Sequence, residues 1–313
     1  AYDVARAPNP FASVCGRICA APCERACRRG RVDRPIAIRA LKRVLAEAHG
    51  VEARAARWAR GLGAVPPARG PSVGIVGAGP AGLSAAHDLR LAGHPVTLYE
   101  AAPEPGGMLV QGVPPFRLPR SLLALEIEAI VGLDGVTLRT GCELGRDLDL
   151  GALLDAHAAV LVSVGCRQGR LLETPGVGLP GVMRAVDFLR RAHAATADPV
   201  EGPVVVVGGG SVAFDAARSA WRLHAEAGGD GQTLLDAART AIRSGVRGAE
   251  GAPVRLVAPE GRDELSVPAE ELREAEREGI RVHGRRGVRR IVGEDRVEGV
   301  EVSPVRSLFD EAG

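Results

Sequence analysis

Between residues 73 and 100 the chain reads VGIVGAGPAGLSAAHDLRLAGHPVTLYE, and few arrangements of a polypeptide can satisfy that stretch. Val73 to Val76 form a short apolar run of the kind buried in a parallel sheet. Gly77, Gly79 and Gly82 follow as G-x-G-x-x-G, and Pro80 and Ala81 open a helix predicted to run towards Gly93. A second strand, Val96 to Tyr99, ends at Glu100. Each part has a mechanical role in a dinucleotide cradle. Gly77 permits the tight turn, Gly79 lets the backbone approach a diphosphate, and Gly82 lets the helix pack close to the strand. The helix N-terminus offers unpaired N–H groups and the positive end of its dipole. Glu100, roughly 20 residues beyond the glycines, is placed to accept hydrogen bonds from a ribose.

A similar stretch recurs at PVVVVGGGSVAFDAARSAWRL, starting at Pro203. Its four valines read as a fully buried strand, and Gly208, Gly210 and Ala213 give G-x-G-x-x-A at the start of a helix. Two such cradles predict an α/β chain with two Rossmann-like dinucleotide-binding domains, expected at residues 70–190 and 200–313. Between the fingerprints, helices are expected at Leu122 to Val131 and Leu150 to Ala156. Strands are expected at Val136 to Thr140 and at 158–165, the latter buried. In the second half an insertion with a helical pattern at Leu234, Leu235, Ala238 and Ile242 delays the next strand, Pro253 to Ala258. A charged helix from Pro268 to Glu278 and strands at Ile280 to His283, Val288 to Val292 and Val297 to Val302 follow, the last two as a hairpin. Just after Ala258, Glu260 suits a free ribose 2′-OH and Arg262 suits a 2′-phosphate, so the preference leans only slightly to NAD.

Ahead of the first fingerprint lie four of the six cysteines, Cys15, Cys19, Cys23 and Cys27, spaced C-x3-C-x3-C-x3-C. Gly16 and Pro22 are expected to make turns that let thiolates converge. Iron–sulfur ligation, a structural zinc and a disulfide framework all remain open to such a run; closely spaced thiolates favour iron–sulfur. Residues 36–60 read as a helix broken near Gly50, with Ile38, Leu41, Val44 and Leu45 on one face. A Gly/Pro linker at 61–71 closes this small α-helical domain, residues 1–60. Cys142 and Cys166 read as isolated thiols, and no C-x-x-C or C-x4-C redox pair is present. His193 and His283 read as ordinary surface residues, and Asp215 as a residue on a helix face.

Composition excludes several classes. Basic residues number 40 against 38 acidic ones, interleaved along the chain, so no nucleic-acid-binding face is expected. Aromatics are only 3%, so the cores must be built from Val, Leu, Ile and Ala. The apolar runs are too short to span a bilayer and no signal peptide opens the chain, so a soluble, cytoplasmic protein is expected. Ala1 in place of Met and the polar ending SLFDEAG are the marks expected of a fragment.

NPFASVCGRICAAPCERACRRGRVDRPIAIRALKR resembles the N-terminal iron–sulfur region of the glutamate synthase small-subunit family, a module shared with dihydropyrimidine dehydrogenase. In that family an earlier four-cysteine run, absent here, joins this one in holding two [4Fe–4S] clusters. The resemblance makes Cys19, Cys23 and Cys27 the better ligand candidates, with Cys15 less constant. The same family carries a Gly-Gly-x-Leu…Gly-Ile-Pro-x-Phe-Arg-Leu-Pro signature near its flavin. Gly106, Gly107, Leu109, Gly112, Pro114, Phe116, Arg117 and Pro119 match it, with Met108 at the variable position and Gln111 departing from the usual aromatic. By this resemblance the first cradle holds FAD. Ser163-Val164-Gly165 is similar to the Ala-Thr-Gly turn that marks the crossing between nucleotide domains, so Gly165 is expected at the cofactor. GGGSVAFDAAR is similar to the family's GGG-N-V-A-x-D-x-A-R, placing Gly208, Gly210, Ser211, Val212 and Ala213 at NAD(P)H. The resemblance implies an electron-input oxidoreductase that passes hydride from NAD(P)H to FAD, then single electrons to [4Fe–4S] clusters and a partner subunit or domain. No catalytic acid or base is expected, because the cofactors carry the chemistry. The competing reading is a non-catalytic assembly protein with a structural zinc at the four cysteines and nucleotide sites serving stability alone.

Overall fold

The computed structural model describes residues 1–53, 65–166, 168–193, 202–227 and 254–308. The predicted helix around Leu234 to Ile242 and residues 61–64 of the linker at 61–71 lie outside them. The chain divides into two compact units, Ala1–Cys166 and Arg167–Gly313.

The first unit is organised by a four-stranded sheet of β1 (Val73–Val76), β2 (Val96–Glu100), β3 (Val136–Thr140) and β4 (Ala159–Val162), in the order β3-β2-β1-β4. All pairs are parallel, with Val73 in register with both Val96 and Ala159. Strand β1 has a neighbour on each side and is buried along its whole length, as its run of apolar residues requires. Helix α5 (Pro80–Leu91) joins β1 to β2, and α7 (Arg120–Val131) packs beside it. Ile75, Leu83, Leu98, Leu123 and Ile130 make the core between helices and sheet. A short α6 (Met108–Gln111) follows β2, and α8 (Leu150–Ala156) leads into β4.

Strand β4 departs from the buried strand expected at 158–165. It is shorter, and Leu161 and Val162 are exposed, because β4 is an edge strand paired only with β1.

The cysteine segment belongs to this first unit. It contains α1 (Tyr2–Arg6), α2 (Ala12–Ile18), α3 (Pro22–Arg25) and α4 (Ile38–His49). Phe11 and Val14 enter the same core as Leu83 and Leu123, so the segment is packed onto the Rossmann-like layer rather than tethered to it. Two expectations need correction here. Gly16 is not a turn: it lies inside α2, where an added Cβ would sit 3.0 Å from the Cα of Arg43, so it permits close approach of α2 and α4. The face of α4 bearing Leu41 and Val44 is not buried either. These residues are 55% and 60% exposed, and the helix packs instead through Ala46 and Leu45.

The second unit holds a parallel sheet of β5 (Val204–Val207), β6 (Val254–Val257) and β7 (Arg281–His283), in the order β5-β6-β7. Helices α9 (Ala185–Ala192), α10 (Ser211–Ala227) and α11 (Ala269–Arg277) accompany it. Phe214, Ala217, Leu256, Ala275 and Ile280 form its core. Strand β5 is not fully buried as expected: Val205 and Val207 face outwards, again because the strand sits at a sheet edge. Strands β8 (Arg286–Val292) and β9 (Gly299–Pro304) form the expected antiparallel hairpin, irregular between Val288 and Arg290. Asp215 is buried on α10 rather than displayed. Among the described residues no helix is long and apolar enough to cross a membrane.

Candidate functional site

The first glycine turn is the tightest place in its unit. Gly77 adopts φ +104°, and a Cβ there would meet the Ser163 carbonyl at 2.4 Å. A Cβ on Gly82 would fall 1.9 Å from the Gly77 carbonyl, so α5 is drawn against the turn as closely as backbone permits. Gly79 differs. Its nearest neighbour to an added Cβ is the Gly107 Cα at 3.9 Å, so its bareness serves space outside the protein framework. Pro80 and Ala81 start α5, whose first N–H groups have no side-chain cap.

Three side chains hold this turn, and only one of them was legible as a site residue. Glu100, at the end of β2, is 9% exposed; Ala78 N–H donates to its Oε2 and Ala102 N–H to its Oε1, each at 2.8 Å. Each oxygen keeps a further lone pair, so the carboxylate braces the turn and remains able to accept from a ribose hydroxyl. The Ser163 hydroxyl lies within donating distance of the carbonyls of Val76 (3.1 Å) and Gly77 (3.0 Å), tying the end of β4 to the turn. Arg120 donates from Nη1 to the Leu109 carbonyl and from Nη2 to the Val113 carbonyl, both at 2.8 Å. It thereby secures the loop through Gly106, Gly107, Met108, Leu109 and Gly112. That loop is pinned against the cradle by a 2.7 Å bond from Gly106 N–H to the Ala78 carbonyl. Arg117 is half-buried on the same loop and Gly165 sits in open space with φ +70°.

In the second unit Gly208 adopts φ +133° at the end of β5, with Ala213 buried beneath it. Gly210 opens α10, and Ser211 and Val212 are exposed at its first turn. Glu260, just beyond β6, lies directly over this turn: a Cβ on Gly209 would sit 2.6 Å from its Oε2. That oxygen is buried and has no hydrogen-bond partner among the described residues. Arg262 is turned away in a two-pronged ion pair with Glu276, its Nη2 lying 2.6 Å from Oε2. His283 is not a plain surface residue, since its Nε2 is buried without a partner.

The thiols stand in differing surroundings. Burial pushes the Cys15 thiol up. The N–H groups of Ile36, Arg29 and Gly30 point at the Cys27 sulfur and hold its thiol below the usual range. Ala21 N–H contacts the Cys19 sulfur at 3.4 Å, and Cys23 is exposed. Such N–H contacts suit thiolate ligands of a soft metal centre. Among the described residues no three His, Cys, Asp or Glu side chains are gathered closely enough to hold a metal ion, and all six cysteines are unpaired.

A polar clasp that the sequence did not disclose joins this segment to the Rossmann-like layer. Glu126, on α7 and 1% exposed, accepts hydrogen bonds from Ser13 N–H (2.8 Å) and Val14 N–H (3.0 Å) at the start of α2. Nearby, Arg6 Nη1 lies 3.3 Å from Nε2 of the fully buried His87 on α5.

Comparison with known proteins agrees with this layout. Residues 71–308 match the family described as pyridine nucleotide-disulphide oxidoreductase, and residues 1–53 match dihydropyrimidine dehydrogenase domain II, 4Fe-4S cluster. The chain is 38% identical over 301 residues to the NADP(+)-dependent formate dehydrogenase subunit beta of Moorella thermoacetica, covering 90% of this chain and 38% of that protein. It is 40% identical over 226 residues to the NAD-dependent dihydropyrimidine dehydrogenase subunit PreT of Salmonella typhimurium, covering 69% and 51%. It is 32% identical over 289 residues to the glutamate synthase [NADPH] small chain of Azospirillum brasilense, covering 90% and 55%. The chain thus spans from just over a third to just over half of these relatives' lengths. Among solved structures, a mutant of FprA from Mycobacterium tuberculosis shares the fold with a TM-score of 0.63 at 22% identity, over 78% of this chain and 66% of that one.

Proposed function

The chain belongs to the pyridine nucleotide-disulphide oxidoreductase family, and from that premise we propose that it is the electron-input part of a larger NAD(P)H-dependent flavin and iron–sulfur oxidoreductase. When bound, a nicotinamide dinucleotide supplies hydride, FAD takes it as a pair and releases single electrons, and [4Fe–4S] clusters carry those onward. The observation that carries the reading is the repetition of one device, a parallel strand running into a glycine turn and a helix start, in two units of which the first also bears the cysteine run.

The residues of this chain position and shield. The turn at Gly77, Gly79 and Gly82 presents the first N–H groups of α5 to a diphosphate, while Glu100 keeps the turn rigid and faces a ribose. Gly106, Gly107, Met108, Leu109 and Arg117 form the strap beside the flavin, with Arg120 as its anchor. Gly165 leaves room at the end of the crossing strand. Gly208, Gly210, Ser211, Val212 and Ala213 form the nicotinamide dinucleotide cradle, bordered by Glu260 and Arg262. Cys19, Cys23 and Cys27, with Cys15, supply thiolates. No side chain needs to act as acid or base. The sequence carries no C-x-x-C or C-x4-C pair for dithiol exchange, which leaves the thiol run as the outlet for the electrons.

The relatives named above are subunits of formate dehydrogenase, dihydropyrimidine dehydrogenase and glutamate synthase. A partner subunit or domain is accordingly part of the proposal, as is a reducing, cytoplasmic setting in which the thiols stay free to ligate iron. The test is the full-length protein made anaerobically with iron and riboflavin supplied. Iron, acid-labile sulfide and flavin in the pure protein, with visible absorbance that bleaches on adding NADH or NADPH, are expected. Zinc in a colourless protein would instead establish the assembly-protein reading.

A further inference from the structure

The second cradle carries a feature that decides which nicotinamide dinucleotide it accepts. The chain's relatives divide on this point, since those above include proteins named for NAD and for NADP(+) or NADPH. We propose that this chain takes the dinucleotide without a 2′-phosphate, with Glu260 as the specificity-determining residue and the arginines beside it already neutralised. The inference rests on the reading of Gly208 to Ala213 as the nicotinamide dinucleotide site.

Three observations carry it. Glu260 follows β6, the strand next to β5 in the sheet, which is where a carboxylate meets the adenosine ribose in a dinucleotide fold. Its Oε2 lies against Gly209, on the glycine turn itself, and is buried with no donor among the described residues. An orphaned buried acceptor is costly, and a ribose hydroxyl is a donor of the right kind to relieve it. A phosphate on that hydroxyl removes the donor and sets negative charge against a carboxylate.

The arginines that would welcome a phosphate are engaged. Arg262 is held by both oxygens of Glu276. Arg285 lies over Gly261, where an added Cβ would meet its Nε at 2.9 Å, and its Nη2 donates to Glu264 Oε1 at 2.6 Å. Glu264 also accepts from Gly261 N–H at 2.7 Å, so this pairing is built into the turn after β6. A dianionic group drawn to Arg262 or Arg285 must displace the carboxylate that each already holds.

The experiment is calorimetric titration of the full-length protein, loaded with its cofactors, with NAD+ and with NADP+, the oxidised forms being used so that no turnover occurs. NAD+ is expected to bind tighter by about tenfold or more. Glu260→Gln, which keeps the shape and removes the charge, is expected to narrow that ratio. Glu276→Gln, which frees Arg262, is expected to raise the affinity for NADP+. Equal or tighter binding of NADP+ by the unaltered protein overturns the proposal, as does a Glu260→Gln variant with an unchanged ratio. Binding of neither dinucleotide overturns the oxidoreductase reading itself, and this inference with it.

Discussion

Replacing Glu126 by alanine is expected to loosen the cysteine helix from the Rossmann-like layer by a measurable amount. Phe11, at the N-cap position of α2, provides no side-chain cap, so the N–H groups of Ser13 and Val14 depend on the Glu126 carboxylate from another helix. Both lie in buried surroundings, where an N–H stripped of its acceptor costs about 1–3 kcal/mol. Deleting the side chain also removes a carboxylate that is expensive to bury, and burial holds the Glu126 carboxyl above its ordinary pKa. That relief offsets part of the loss, leaving a net cost of about 2–4 kcal/mol. The assay is amide hydrogen exchange of the segment containing Ser13 and Val14, followed by mass spectrometry. If that segment opens separately from the rest, exchange should accelerate roughly 30- to 700-fold, the equivalent of that range. Glu126→Gln should fall between, because a carboxamide has one acceptor oxygen and would turn its NH2 towards the second N–H. Exchange in 12–18 indistinguishable from the unaltered protein would refute the argument, since it would mean that packing of Phe11 and Val14 alone holds α2 in place.

Other expectations follow from the same geometry. Gly82→Ala should unfold or strongly destabilise the first unit, by about 3 kcal/mol or more, because its Cβ would collide with the Gly77 carbonyl at 1.9 Å. Gly79→Ala should leave the thermal midpoint nearly unchanged yet lose flavin, because its Cβ meets nothing closer than 3.9 Å within the protein; circular dichroism and flavin content of the two variants check the contrast. His87 is held below its ordinary pKa by burial and then by Arg6, whose N–H donors require an unprotonated Nε2. The unfolded chain therefore binds that proton more readily, and the stability contribution, complete above about pH 6.5, should fall as pH drops towards the folded value. His87→Gln should flatten that slope in thermal unfolding followed between pH 5 and 8. Arg120→Ala should free the loop at 106–114 at a cost of about 1–3 kcal/mol, seen as new protease cleavage there while the core strands stay protected.

The glycine spacings, the apolar runs and the cysteine run were sufficient to place both glycine turns, most strands and helices to within a few residues, and the kinship. That is because each depends on local rules: a turn that needs positive φ, a strand that needs β-favouring residues, a helix that needs an open N-terminus. Tertiary structure decided what depends on neighbours. Runs as apolar as those of β4 and β5 look buried in isolation, and only the strand order reveals that, among the described residues, each has a single partner and an exposed flank. Leu41 and Val44 have helical spacing, yet Gly16 brings α2 against a different side of α4. Glu100 reads in the sequence as an acceptor for a ribose, whereas its bracing of Ala78 and Ala102 is a matter of three-dimensional reach. Glu126 and Ser13 are far apart along the chain, so no periodicity could pair them; a carboxylate and an uncapped helix start find each other only once α2 and α7 share a core. The same holds for Glu260 and Arg262, whose side chains are equally plausible partners for a nucleotide in the sequence. Their difference arises because one is left over a glycine turn without a donor and the other is consumed by Glu276.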